Sequence, residues 1–255
     1  MDTTTADGSA GPGTPATPQP RAVATDRGLG WWTDAWALFT RSALMWVALA
    51  LILIVGLGVV GMVPVLGAVA IGLVAPVLLA SWMLAARKVE GGAALEVGDL
   101  FAAFQGARLP PLLVLGALLL AALVVIGIVA GVLGAGAVFG MMLGGARHSA
   151  GGMMAAAGVG FMVLAVCLVF GVLVSMALWF APALVVFRNV PPLEAVKLSV
   201  AATLKNWLPF LVFGVLYIVA SIVASIPFGL GWLVLAPVAM LAVYVSYRDV
   251  FEAAA

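Results

Sequence analysis

Charged positions are few along this chain, and long uncharged stretches separate them. None falls between Arg41 and Arg87, between Arg108 and Arg147, between Arg147 and Arg188, or between Lys205 and Arg248. A helix needs about 20 residues, rising about 1.5 Å each, to cross a hydrocarbon core of about 30 Å. The first and last stretches each hold two crossings, divided near Pro64 and at Pro227, Gly229 and Gly231. The two middle stretches are diluted by Gly and Ala around Arg147 and hold one crossing each. The pattern predicts six helices over 43–62, 67–86, 111–134, 157–180, 208–226 and 230–247. The expected fold is all-α: a polytopic transmembrane helical bundle of three hairpins.

The segments leading into the hairpins share a pattern of acid, short amphipathic stretch and base. Asp34 and Arg41 bracket the first, Asp99 and Arg108 the second, Glu194 and Lys205 the third. In the third, Leu193, Val196, Val200, Leu204 and Trp207 fall on one helical stripe, with Glu194, Lys197 and Lys205 on another face. Trp32, Trp36 and Phe39 make a similar stripe in the first. The spacing predicts cytoplasmic amphipathic interfacial helices over 31–41, 95–105 and 192–205. They suit either three copies of one unit or three connectors shaped alike by the membrane surface.

Residues 1–28 differ in kind. Thr, Ala, Gly and Pro dominate from Thr3 to Pro20, and such a segment cannot bury enough apolar surface to offset its ordering entropy. The division expected is a disordered, cytoplasmic tail over 1–28 and a six-helix transmembrane domain over 29–255. No basic n-region with a following apolar h-region precedes Trp31, so the first hydrophobic helix is expected to act as an uncleaved targeting signal.

Charge sets the expected orientation. With both termini cytoplasmic, ten of the chain's 11 basic residues flank helix ends on the inner side, and only Arg147 lies outside. That is a strong positive-inside bias. Trp31, Trp32, Trp36, Trp46, Trp82, Trp179 and Trp207 lie near the inner helix ends, where an indole finds interfacial partners.

Composition then closes off function classes. The chain is 65% hydrophobic and 8% charged with a net charge of +1, which excludes a soluble enzyme and a nucleic-acid partner. No acid, base or histidine falls within the six predicted helices, which argues against an ion-coupled carrier. His148 is the sole histidine, too few for a histidine-based metal site, and reads as a solvated loop residue. Cys167 reads as a small buried hydrophobe. Glu96, Asp99 and Glu194 are the best acids an enzyme could use, yet no histidine or metal-ligand partner stands near them in sequence. No catalytic, cofactor-binding or metal residue is assigned, and no cofactor is expected.

Gly127, Gly131, Gly136, Gly140 and Gly144 recur near intervals of four, a spacing that lets helix backbones approach closely. Packing within one bundle is the expectation; a membrane-protein partner or a second copy against the Gly127/Gly131 face is the other use. Ser175, Tyr217, Ser221 and Ser225 are read as interhelical hydrogen-bonding groups. They could instead line a polar path. Pro182 and Pro237 are expected to kink their helices.

The run Trp179-Phe-Ala-Pro-Ala-Leu, then Pro192-Leu-Glu-Ala-Val-Lys-Leu-Ser199 and Lys205-Asn-Trp-Leu-Pro209, resembles uncharacterised bacterial inner-membrane proteins of the YciC-like and BPSS-type families. Gly30-Trp-Trp and Val97-Gly-Asp-Leu-Phe101 fit the BPSS-type group. The resemblance covers about residues 29–252. It implies a multi-pass inner-membrane protein and carries over no catalytic residue. The function expected is a non-enzymatic integral membrane protein with a structural, complex-forming or envelope-associated role. The alternative is a transporter or channel for an apolar or weakly polar solute.

Overall fold

A computed structural model describes residues 18–143 and 150–252. Helices α1 (Arg27–Thr40), α2 (Ala43–Gly61) and α3 (Leu66–Glu90) lead to a 3-10 turn at Val97–Phe104. Then follow α4 (Leu109–Leu143), α5 (Ala150–Trp179), α6 (Ala181–Arg188), α7 (Pro192–Lys205), α8 (Trp207–Ser225) and α9 (Trp232–Phe251). Among the described residues, six stretches are long and apolar enough to cross a membrane: α2, α3, Gly106–Gly136, Ala157–Arg188, α8 and α9. The all-α polytopic bundle expected from the charge gaps is the fold observed.

Two helices form its centre. α9 packs against α1, α2, α3 and α8, while α3 also meets α4, α6 and the 3-10 turn. Their facing sides carry Trp82, Met83, Leu241, Tyr244 and Tyr247, all fully or almost fully buried. Lipid tails are as apolar as these side chains, so close packing, rather than escape from water, selects this arrangement. The close approaches are made at glycine. A Cβ on Gly116 of α4 would fall on the backbone of Leu73, and one on Gly72 of α3 would strike the Leu120 side chain. Gly28 lets α1 lie against Pro209 of α8, and Gly231 sits against Ala224 where α8 and α9 meet.

The connectors follow a cyclic scheme. The 3-10 turn seats on α3 of the first hairpin, α7 on α5 of the second, and α1 on α8 and α9 of the third. Each connector thus joins the hairpin it leads into to a different one. The middle connector is a 3-10 element instead of the expected α-helix. Glu96 and Asp99 form a reciprocal capping box at its start, and Gln105 leaves it in extended conformation.

Burial shows which faces of the connectors meet the bundle. On α1 the buried set is Gly28, Trp31, Ala35, Leu38 and Phe39, with Trp36 turned outward. On α7 the small residues Ala195, Ser199, Ala202 and Thr203 face the bundle, whereas Leu193 and Leu204 are exposed. On α7 this follows from tight seating, which needs small side chains at the contact, whereas α1 buries Trp31 and Phe39 against its neighbours.

Residues 1–17 lie outside the described residues, while 18–26 run as an ordered strap and α1 already begins at Arg27. The expected outer-loop residues Arg147, His148 and Gly144 likewise lie outside the described residues. α9 continues through Pro237 and α3 through Pro76, so neither proline ends its helix. Where a kink was expected at Pro182, α5 gives way to α6 at Phe180.

Candidate functional site

The polar groups gather at the end of the bundle where the described parts of both termini meet. Arg21 donates its backbone N–H to the Val250 carbonyl at 3.0 Å, and its side chain donates to the Asp249 carbonyl. Asn206, almost fully buried between α7 and α8, holds the same strap from its other side. Its Oδ1 accepts from Val23 N–H at 2.8 Å, and its Nδ2 donates to the carbonyls of Arg21 and Ala202. Lys205 donates to the Pro20 carbonyl at 2.8 Å. A single amide side chain therefore ties the start of the described chain to the α7–α8 junction.

Asp249 is the hub on α9. Its Oδ2 accepts from Trp31 Nε1 at 3.0 Å and from Arg27 at 2.6 Å, and Arg27 also reaches Asp34 at 2.8 Å. Burial opposes the Arg27 charge, but the bonds and the fields of Asp34 and Asp249 outweigh it and hold its pKa above the ordinary arginine value. Glu90 pairs with Arg248 and accepts from the Tyr244 hydroxyl. Arg87 pairs with Glu252 and lies over the Phe187 ring, 3.6 Å from its centroid. Arg188 donates to the Phe251 carbonyl at 3.1 Å, satisfying one of the orphan carbonyls at the end of α9. These are latches between α1, α3, α6 and α9. Each carboxylate faces a cation, an arrangement that fixes helix ends.

The Phe-Ala-Pro run and Ser199 meet in one joint. In an unbroken helix Phe180 N–H would donate to the Met176 carbonyl. Here the Ser199 hydroxyl stands between them, accepting from Phe180 N–H at 3.0 Å and donating to Met176 at 2.6 Å. A side chain inserted into the hydrogen-bond ladder opens a helix at that point. Pro182 then starts α6 without needing a donor. The Phe-Ala-Pro run and the serine of the next segment are thus the two halves of the α5–α6 break, and Asn206 is the strap anchor. Trp179 Nε1 adds a bond to Ser246 of α9 at 3.0 Å.

The acids considered for chemistry are placed differently. Glu96 and Asp99 share the capping box, and Asp99 is held by Lys88 at 3.0 Å. Glu194 stands on the exposed first turn of α7. Among the described residues, no three His, Cys, Asp or Glu side chains are grouped to hold a metal ion. The serine hydroxyls correct another expectation. Ser175 donates to Gly171 and Ser221 to Tyr217, each to the carbonyl four residues back in its own helix and not across helices, whereas Ser225 donates to Ser221 in the same way but also accepts from Trp232 Nε1 of α9 at 3.2 Å, the interhelical bond expected. The indoles divide too. Trp46 and Trp82 pair at 5.0 Å in the core, and their N–H groups have no partner among the described residues.

Sequence reading missed Asp249, Glu90 and Asn206. Their signal was only a polar residue at a helix end, which is too common to single them out.

Six apolar spans over a charge-latched end define a multi-pass integral membrane protein. The chain is 27% identical over 212 residues to a protein of Burkholderia thailandensis named a "probable inner membrane protein"; the match covers 82% of this chain and 77% of that one. No family model matches the chain, and no solved structure matches it.

Proposed function

We propose that this protein is a non-enzymatic inner-membrane protein whose α4–α5 hairpin packs against a membrane-protein partner or a second copy of itself. One observation carries the reading. The membrane window of α5 contributes no buried residue, and around Gly127 and Gly131 of α4 nothing described lies within 4 Å of an added Cβ. The expected use of those glycines within the bundle is overturned, since Gly72 and Gly116 make the close contacts instead. Length supports the same reading. The 35 residues of α4 span about 52 Å, against about 28 Å for the 19 of α2. A tilt of even 40° across a core of about 30 Å accommodates only about 39 Å, so uncharged helix extends beyond the hydrocarbon.

The orientation we infer places both termini in the cytoplasm. The end bearing the strap and latches carries Arg21, Arg27, Arg87, Lys88, Arg188, Lys205 and Arg248, as the positive-inside rule requires of the cytoplasmic face. Shared motifs at Phe180–Pro182, Ser199 and Asn206–Trp207 support kinship with the BPSS-type and YciC-like proteins. A solute path would call on Ser175 and Ser221, whose hydroxyls are already committed to their own helices.

Cysteine crosslinking in native membranes tests the packing. In a Cys167→Ala background, Gly127→Cys is expected to give a crosslinked adduct, whereas a cysteine at lipid-facing Val215 of α8 gives none. Absence of any adduct at Gly127 and at Gly131 would overturn the reading. Reporter fusions after residue 147 should read as outside and fusions after Ala255 as inside.

A further inference from the structure

We infer that a cleft at the latch-bearing end is a binding site for the phosphate of an anionic phospholipid. The cleft has a volume of about 640 Å³ and lies between the segment entering α4 and the α6–α7 junction. Gln105, Arg108, Asn189 and Pro191 line it together with Pro111 and Val185. Arg108 has no ion-pair partner among the described residues. Arg27, Arg87 and Arg248 are held by carboxylates, and Arg21, Arg41 and Arg188 by backbone carbonyls.

Three features favour an anion. The guanidinium of Arg108 offers a fork of donors suited to phosphate oxygens. Pro111 in the first turn of α4 and Pro191, the N-cap of α7, both contribute to the walls, so the positive dipole ends of helices of 35 and 14 residues border the same space. The Gln105 and Asn189 amides supply further donors. No carboxylate is among the lining residues, so a choline or ethanolamine headgroup would bring a cation that finds no counter-charge. An anionic headgroup brings none.

Depth selects the source. Pro111 begins the apolar body of α4 and Val185 belongs to the end of the fourth span, so the cleft sits where hydrocarbon gives way to headgroups. Basic pockets between transmembrane helices at this level commonly accept lipid headgroups. The apolar walls at Pro111, Val185 and Val190 suit the glycerol and upper acyl region. The inference is independent of what covers α5.

Native mass spectrometry of the full-length protein in mild detergent tests it, with equimolar phosphatidylglycerol and phosphatidylcholine. Wild type is expected to retain phosphatidylglycerol about fivefold over phosphatidylcholine, the scale of one cation near a membrane surface. Arg108→Gln should bring that ratio near one with its melting temperature unchanged, since Arg108 is exposed. Lys197→Gln, outside the cleft, should keep the preference. Equal retention of both lipids by wild type would overturn the inference, as would an unchanged preference in Arg108→Gln. Displacement of the retained lipid by millimolar inorganic phosphate would assign a soluble anion and overturn the lipid.

Discussion

α5 and α9 are both membrane-spanning helices, yet the bundle uses them in opposite ways. Most of the α9 window is buried and none of the α5 window is, although α5 is the more hydropathic of the two. The reason is what each carries. α9 holds Tyr244, Ser246, Tyr247, Arg248 and Asp249, and most of these groups reach a partner that only neighbouring helices supply. α5 carries almost nothing that lipid cannot satisfy. In a bilayer, hydropathy measures readiness to cross, and polar content decides which helix takes the centre.

The same contrast runs along α4. Gly116 is pressed against Leu73, whereas Gly127, eleven residues on, faces open space. Gly116→Val should therefore cost about 3 kcal/mol, at the upper end of overpacking penalties, because the obstacle is backbone. It would appear as a large drop in thermal midpoint followed by tryptophan fluorescence in detergent. A wild-type midpoint would mean that α3 and α4 are not in close contact.

Asp249→Ala comes next, at about 2 kcal/mol. It strands Trp31 Nε1 and leaves Arg27 with Asp34 alone, and hydrogen bonds to charged groups are the stronger ones. Removing residues 1–24 in that variant should add less than it does in wild type, since the strap and the hub share α9. Full additivity would show the two latches to be separate.

Ser199→Ala should cost about 1–2 kcal/mol, because it leaves Phe180 N–H unpaired where the residue is fully buried. The readout that distinguishes it from general loosening is faster hydrogen exchange at Phe180 than at Leu241. Exchange unchanged at Phe180 would remove Ser199 from the break.

Gly127→Val is the smallest effect on the isolated chain, within about 0.5 kcal/mol, as for a substitution that meets no neighbour. It should nevertheless reduce crosslinking through the α4–α5 face in membranes. A monomer destabilised as strongly as by Gly116→Val would erase the contrast between the two glycines.

Spacing of charge along the chain determined the number of crossings and most of their bounds, though α4 runs on to Leu143 and α5 starts at Ala150, because an uncharged stretch of sufficient length has few other stable homes. It also marked the connectors and the break at Pro182. Which face of each connector is buried, and which glycines are contacts, followed from tertiary packing alone. The pattern at Gly127 and Gly131 reads the same as one that packs, but α3 passes α4 nearer to Gly116. Asn206, Ser199 and Asp249 acquire their roles only when chain segments distant in sequence bring unpaired backbone or indole N–H groups within 3.0 Å. A hydrogen bond needs both partners in place, and one-dimensional spacing names only one of them.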